Sequence, residues 1–147
     1  MRWTWSSLDA LSARELHAAL ALRQRVFVVE QDCVYPDADA LDLTSHHLLG
    51  TRDDALVAYL RATPRGEGPD AVALSRIVVA PEARGDGLGR ALVAEGLDRA
   101  RATWGALPVT LEAQSHLAAF YGSLGFAVSG EPYVETGIPH VPMRRPS

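Results

Sequence analysis

The stretch from Ser75 to Leu92, SRIVVAPEARGDGLGRAL, decides how this chain is read. A β-branched run, Ile77-Val78-Val79, stops at Pro81 and gives way to Arg84-Gly85-Asp86-Gly87-Leu88-Gly89, after which an Ala- and Leu-rich pattern with helical periodicity begins. A strand that feeds a glycine-rich turn at a helix start builds an anion site. The first helical turn has unbonded N–H groups, the helix dipole adds partial positive charge, and glycines remove the Cβ atoms that would hold a phosphate off the backbone. The stretch predicts a site for a phosphorylated cofactor.

Spacing narrows the choice of cofactor. A dinucleotide turn needs G-x-G-x-x-G, but counting from Gly85 the third glycine position is Arg90. A P-loop needs a lysine after its glycines, and the chain contains no lysine. The pattern present is R-x-x-G-x-G, on Arg84, Gly87 and Gly89.

At 147 residues, 48% hydrophobic and 22% charged, the chain has the size and composition of a single globular domain over residues 1–147. Its net charge of −4 argues against a nucleic-acid partner, which needs a basic face. The lone cysteine, Cys33, excludes an internal disulfide and fits a reducing compartment. MRWTWSSLDA lacks the apolar centre of a signal peptide, and no uninterrupted apolar run has membrane-spanning length. A cytoplasmic protein with no membrane partner is expected.

Around the turn, the elements follow from periodicity and punctuation. Trp3 and Trp5 alternate with polar residues, as in a short strand. Ser12-Ala13-Arg14-Glu15 is a capping box, and the helix it opens carries Leu16, Leu20, Leu22, Val26 and Val29 to about Gln31. An acidic, irregular segment runs from Gln31 to Thr44. His46 to Thr51 and Ala55 to Ala62 read as a hairpin through Arg52-Asp53-Asp54, residues 63–70 as a Pro/Gly loop, and Ala71 to Val79 as a long strand. After the turn come a helix marked by Leu88, Leu92, Val93 and Leu97 that ends before Pro108, a strand from Val109 to Ala113, and a helix from His116 to Leu124 closed by Gly125. Two last strands are expected near Phe126–Ser129 and His140–Arg144. The fold class is mixed α/β (α+β), a central mixed sheet with helices on both faces.

With Val79 and Pro81 ahead of it, the R-x-x-G-x-G turn resembles the acyl-CoA signature of the GNAT superfamily of N-acetyltransferases. Phe120-Tyr121-x-x-x-Gly125-Phe126 resembles that family's F-Y-x-x-x-G-F helix. Leu22-Arg23-x-x-Val26-Phe27-Val28-Val29-Glu30-Gln31, followed by Cys33, Tyr35, Asp37, Asp39 and Asp42, is similar to the ElaA-like branch, as is Gly137-Ile138-Pro139-His140-x-x-Met143. The resemblance covers nearly the whole chain. It implies a GNAT acyl-CoA N-acyltransferase fold with a mostly antiparallel sheet, acetyl-CoA as co-substrate, and direct acetyl transfer to the primary amine of a small molecule or peptide. It further implies that Arg84, Gly85, Asp86, Gly87, Leu88, Gly89 and Arg90 hold the pyrophosphate, and that backbone N–H groups of Ile77, Val78 and Val79 meet the pantetheine and the oxyanion. A homodimer through the C-terminal strands is compatible with the family. The alternative is a catalytically weak or inert acyl-CoA-binding sensor or partner-binding module of the same fold, and the acyl chain length stays open.

The chemistry needs a proton donor for the leaving thiolate and a route for the amine's proton. Tyr121 lies where the family often places its acid; the alternative for it is a packed core phenol. The base candidates are His46, His47, His116 and His140, with His47 and His140 favoured by the ElaA-like pattern. Glu112 acting through water, or ordered water alone, is equally open. On the acceptor side, Glu30, Asp32, Asp37, Asp39 and Asp42 place five carboxylates within thirteen residues. Either they bind a cationic acceptor, with Glu30, Asp37, Asp39 and His140 as contacts, or they form a solvated acidic loop. Arg76, inside an aliphatic strand, is expected to pair with a carboxylate such as Glu112 or to line the cleft. Asp86 places a negative charge in an anion turn. No His, Cys or carboxylate grouping has metal-site spacing, so no metal is expected.

Overall fold

The structure, a computed structural model, describes residues 1–147. In chain order its elements are β1 (Arg2–Ser7), α1 (Ala13–Arg23), β2 (His46–Arg52), β3 (Ala55–Arg65), β4 (Ala71–Val79), α2 (Leu88–Trp104), β5 (Val109–Gln114), α3 (Ala118–Gly122), β6 (Ala127–Val128), β7 (Tyr133–Glu135) and β8 (Ile138–Arg145). The eight strands form one sheet in the order β1-β2-β3-β4-β5-β8-β6, with β7 also paired to β8. The expected mixed, mostly antiparallel sheet is therefore present. No helix is long and apolar enough to cross a membrane.

One pairing sets the site. β4 and β5 run parallel, linked through α2 as a parallel pair requires, and they meet only at Val72↔Val109 and Ala73↔Thr110. Above those pairs neither strand bonds to the other, so a gap opens toward their C-terminal ends. Side chains alternate across the sheet. One face of β3 presents Leu60, which fits so closely under α2 that a Cβ on Gly96 would lie 2.8 Å from Leu60 Cδ2. The other presents Tyr59 and Arg61, which meet α1 and the segment after it. Helices thus lie on both faces, and a continuous apolar core fills the space between them and the sheet.

Several local features depart from the sequence reading. The first helix does reach Glu30, but its last residues, Gln24–Glu30, are wound wider: Gln31 N–H donates to Val26 O and Cys33 N–H to Val28 O, both five residues back. β3 runs on through Pro64 to Arg65. The proline is tolerated because β2 begins at His46, opposite Ala62, leaving no neighbour that needs its missing N–H. β4 is bulged: the register on β3 slips between Tyr59 and Arg61, and Arg76 takes φ +53°. The helix expected from His116 begins as a tight turn, Ser115–Leu117, before α3. The chain's end holds three strands rather than two, because Thr136 and Gly137, both with positive φ, turn β7 back onto β8.

Candidate active site

The turn between β4 and α2 is a nest of backbone donors without an acceptor in the protein. Gly85 and Gly87 have φ of +96° and +86°, a left-handed geometry that L side chains resist. None of the amides of residues 85–90 donates to a group within the protein; Ala91 is the first to bond, to Gly87 O at 3.1 Å. These N–H groups open at the positive end of the 17-residue α2. Flanking side chains brace the turn. Arg84 donates to Val79 O at 3.1 Å and pairs with Glu30 at 2.9 Å, while Arg90 donates to Ser123 Oγ at 2.7 Å and lies over Phe120. Asp86 is turned outward to Arg52, 3.5 Å away, so its charge does not enter the nest.

Below the turn, strand parity sorts the three candidate amides. Ala80 N–H donates to Val57 O, and Val78 stands opposite Tyr59 in the same register, so the Val78 amide belongs to the β3 ladder. That removes Val78 as an oxyanion donor. The Ile77 and Val79 amides point to the opposite edge, into the gap left by β5. A cavity of about 560 Å³ continues from this gap, lined by Phe27, Cys33, Ile77, Glu112, Tyr121 and His140, among others.

Tyr121 enters that cavity from α3. The Schellman-type end of α3, with Phe126 N–H donating to Tyr121 O and Gly125 at φ +94°, fixes the backbone there. The residue is 6% exposed, yet its hydroxyl bonds to no protein group and is not sealed from the cavity. Burial pushes the phenol up to about 12, so it holds its proton at neutral pH.

The base candidates separate clearly. His47 is withdrawn: it is 2% exposed, Nε2–H donates to Asp42 O at 3.0 Å, and Nδ1 accepts from the Tyr59 hydroxyl at 2.6 Å. With both nitrogens occupied in the core it has no lone pair for a substrate. His46 packs between Trp5 and Trp104, tilted on the first and edge-on to the second, away from the cavity. His140 does line the cavity. Its Nδ1–H donates to Ile138 O at 2.7 Å, which leaves Nε2 as the nitrogen with a lone pair. Its ring stacks on Tyr133, whose hydroxyl donates to Glu112 Oε2 at 2.9 Å. Tyr133 thus links Glu112 and His140, which both line the cavity, into one array. The sequence reading named two of them without their link, and missed Tyr133 because β7 was not foreseen.

The Acetyltransferase (GNAT) domain description matches residues 19–146. The chain belongs to this family. The ElaA protein of Escherichia coli is 42% identical over 145 residues, covering 96% of this chain and 95% of that protein, and its crystal structure superimposes with a TM-score of 0.91 over 98% of each chain. The crystal structure of an acyl-CoA N-acyltransferase from Pseudomonas aeruginosa is 45% identical, with a TM-score of 0.92 over 99% of each chain.

Within this GNAT domain the acidic segment is not a row of open carboxylates. Arg23, 1% exposed, pairs with Asp37 at 2.8 Å and Asp42 at 2.7 Å. Arg61, also 1% exposed, pairs with Asp39 at 2.6 Å and Asp42 at 2.9 Å. Arg76 pairs with Asp37 at 2.8 Å and Asp39 at 3.3 Å rather than with Glu112, and stacks on Tyr35. Its Nε lies off the hydrogen-bonding direction of Asp37, so that contact is ionic only. Three guanidinium groups therefore neutralise three carboxylates. Burial pushes the Asp42 carboxyl up, but hydrogen bonds from Arg23 and Arg61 outweigh it and hold the group below its ordinary value. Asp37 and Asp39 are withdrawn as contacts for a cation, and Glu30 is braced against Arg84 outside the cavity. What the network does is pin the 31–44 segment over one side of the cavity. Cys33 completes that wall, packed with Sγ 3.4 Å from Gln31 O. No grouping of three or more His, Cys, Asp and Glu is placed to hold a metal ion.

Proposed function

We propose that the chain is one N-acetyltransferase domain, residues 1–147, that moves an acetyl group from acetyl-CoA to a primary amine. The observation that carries this is the run of amides at residues 85–90 that have no acceptor in the protein, in the turn that follows β4 beyond the β4–β5 gap. Kinship at 45% identity with a protein described as an acyl-CoA N-acyltransferase supports the same co-substrate class.

In this reading the nest amides hold the pyrophosphate and the pantetheine descends into the gap. The Ile77 and Val79 amides face it there, one for the pantetheine and one for the thioester oxygen. A neutral amine attacks the thioester carbon; a C–N bond forms as the C=O electron pair moves onto oxygen, where a backbone N–H stabilises the charge. His140 Nε2 takes the proton released from nitrogen. The C–S bond then breaks, and the departing sulfur takes the Tyr121 proton. Burial keeps the phenol protonated until the sulfur departs.

Calorimetric titration with acetyl-CoA tests the reading. The native protein is expected to bind at one site. Gly87→Glu, which brings a carboxylate and a Cβ into the left-handed nest, is expected to weaken binding by about 100-fold or more. Tyr121→Phe should bind acetyl-CoA normally and lose about 100-fold in kcat. Absence of binding by the native protein ends the cofactor reading, and native turnover in Tyr121→Phe removes the acid.

A further inference from the structure

The cavity is not a pocket for a small amine but a trough along one sheet face. Alternation from the register places Arg61, Thr63 and Arg65 of β3, Ala73 and Ser75 of β4, Thr110, Glu112 and Gln114 of β5, and His140 of β8 on the same face. All of them line the cavity. Short side chains at Thr63, Ala73, Ser75 and Thr110 leave the floor open. One end is the reacting end, where Ile77 and Tyr121 meet the gap. The other is Arg65, which pairs in register with Ala71. Ala71 to Ile77 is roughly 20 Å of strand, far longer than a monoamine.

Charge along this trough is polarised. At the reacting end stand Glu112, Glu135 and His140; Glu135 makes no ion pair, and Glu112 accepts only the Tyr133 hydroxyl. In the middle, Arg61, Arg76 and Asp39 are committed to one another and to Asp37 and Asp42. At the far end Arg65 is exposed and makes no ion pair. An amine is drawn to the acidic end, which is where the thioester would lie, and an anion to the opposite end.

Resting on the acetyl-CoA reading above, we infer that the acceptor is an extended, peptide-like amine whose far end carries a carboxylate or similar anion, received by Arg65. A polyamine carries no anion to place against Arg65.

The test uses the full chain with acetyl-CoA and a matched set of probes: trialanine, tetraalanine, their C-terminal amides, and spermidine. The acids are expected to exceed their amides by about tenfold in kcat/KM, through KM. Arg65→Gln should erase that preference, Arg65→Lys keep most of it, and acetyl-CoA affinity should be the same in all three proteins. Equal use of acids and amides, preference for spermidine, or a preference that survives Arg65→Gln overturns the inference. So does acetyl-CoA binding with no acetylation of either acid, which leaves the cofactor reading standing. Failure of the native protein to bind acetyl-CoA overturns both.

Discussion

Two polar regions flank the cavity, and they treat their hydrogen-bonding groups in opposite ways. Residues 85–90 leave a run of backbone donors without any acceptor in the protein. The segment from Asp37 to Asp42 directs its carboxylates at Arg23, Arg61 and Arg76 until their charges cancel. Both regions look like ligand sites in sequence, one for an anion and one for a cation. Only the first keeps its capacity open. A polar group already paired inside the fold is scaffold, whereas backbone donors left unpaired at an exposed turn stay free to take a ligand.

The sharpest way to break this contrast is to remove the carboxylate at the centre of the network. Asp42→Ala leaves Arg23 and Arg61 buried with a partner missing, which is expected to cost roughly 3–5 kcal/mol of stability. Denaturant unfolding measures it; a loss below about 1 kcal/mol would mean that the network is dispensable and its carboxylates available to ligands. Titration of the folded fraction should show acetyl-CoA affinity intact, since the nest shares no group with Asp42.

Proton linkage probes the same network more gently. His47 is held below its ordinary 6.5, chiefly by burial, with Arg23 and Arg61 adding to the effect, and burial does the same to His46. Below pH 6.5 the unfolded chain takes up protons that the folded protein refuses. Stability is therefore full above that pH and falls as the pH drops below it, by at most about 1.4 kcal/mol per pH unit for each histidine. Thermal melts from pH 7.5 to 5 in native protein and His47→Asn should show a shallower slope in the variant. The smallest effect is expected on the other side of the comparison. Asp86→Asn removes an exposed charge that already faces Arg52, so melting should not move and acetyl-CoA should bind about twofold tighter at low salt. A tenfold gain would show that Asp86 faces inward after all.

What could be read before folding was what depends on neighbours in the chain. The nest follows from glycines at fixed offsets, and the capping box at Ser12 forms as the spacing requires, with Ser12 Oγ accepting from Glu15 N–H and Glu15 Oε1 accepting from Ser12 N–H. The motif around Tyr121 left it open between an acid at the cavity and a packed core phenol. What depends on distant pairing was not legible. Asp37 meets Arg76 across 39 positions, and no local signal links them. The role of Val78 turns on its register with Tyr59, which a one-residue bulge at Arg76 resets. His47 stood ahead of His140 as a base until burial told them apart, since a strand's alternation names two faces without saying which is the core.

The two-pair contact of β4 with β5 has a mechanical side. The sheet is two antiparallel blocks, β1 to β4 and β5 to β8, whose main-chain bonding to each other rests on Val72 and Ala73 on one side and Pro108, Val109 and Thr110 on the other. Such a seam is the line of least stiffness in the sheet, where amide hydrogens should exchange soonest by local opening. A molecule lying along it and touching both blocks acts as a clasp. At a concentration of 100 Kd it adds about 2.7 kcal/mol to the folded state, and slower exchange of the strand amides beside the seam would record the clasp closing.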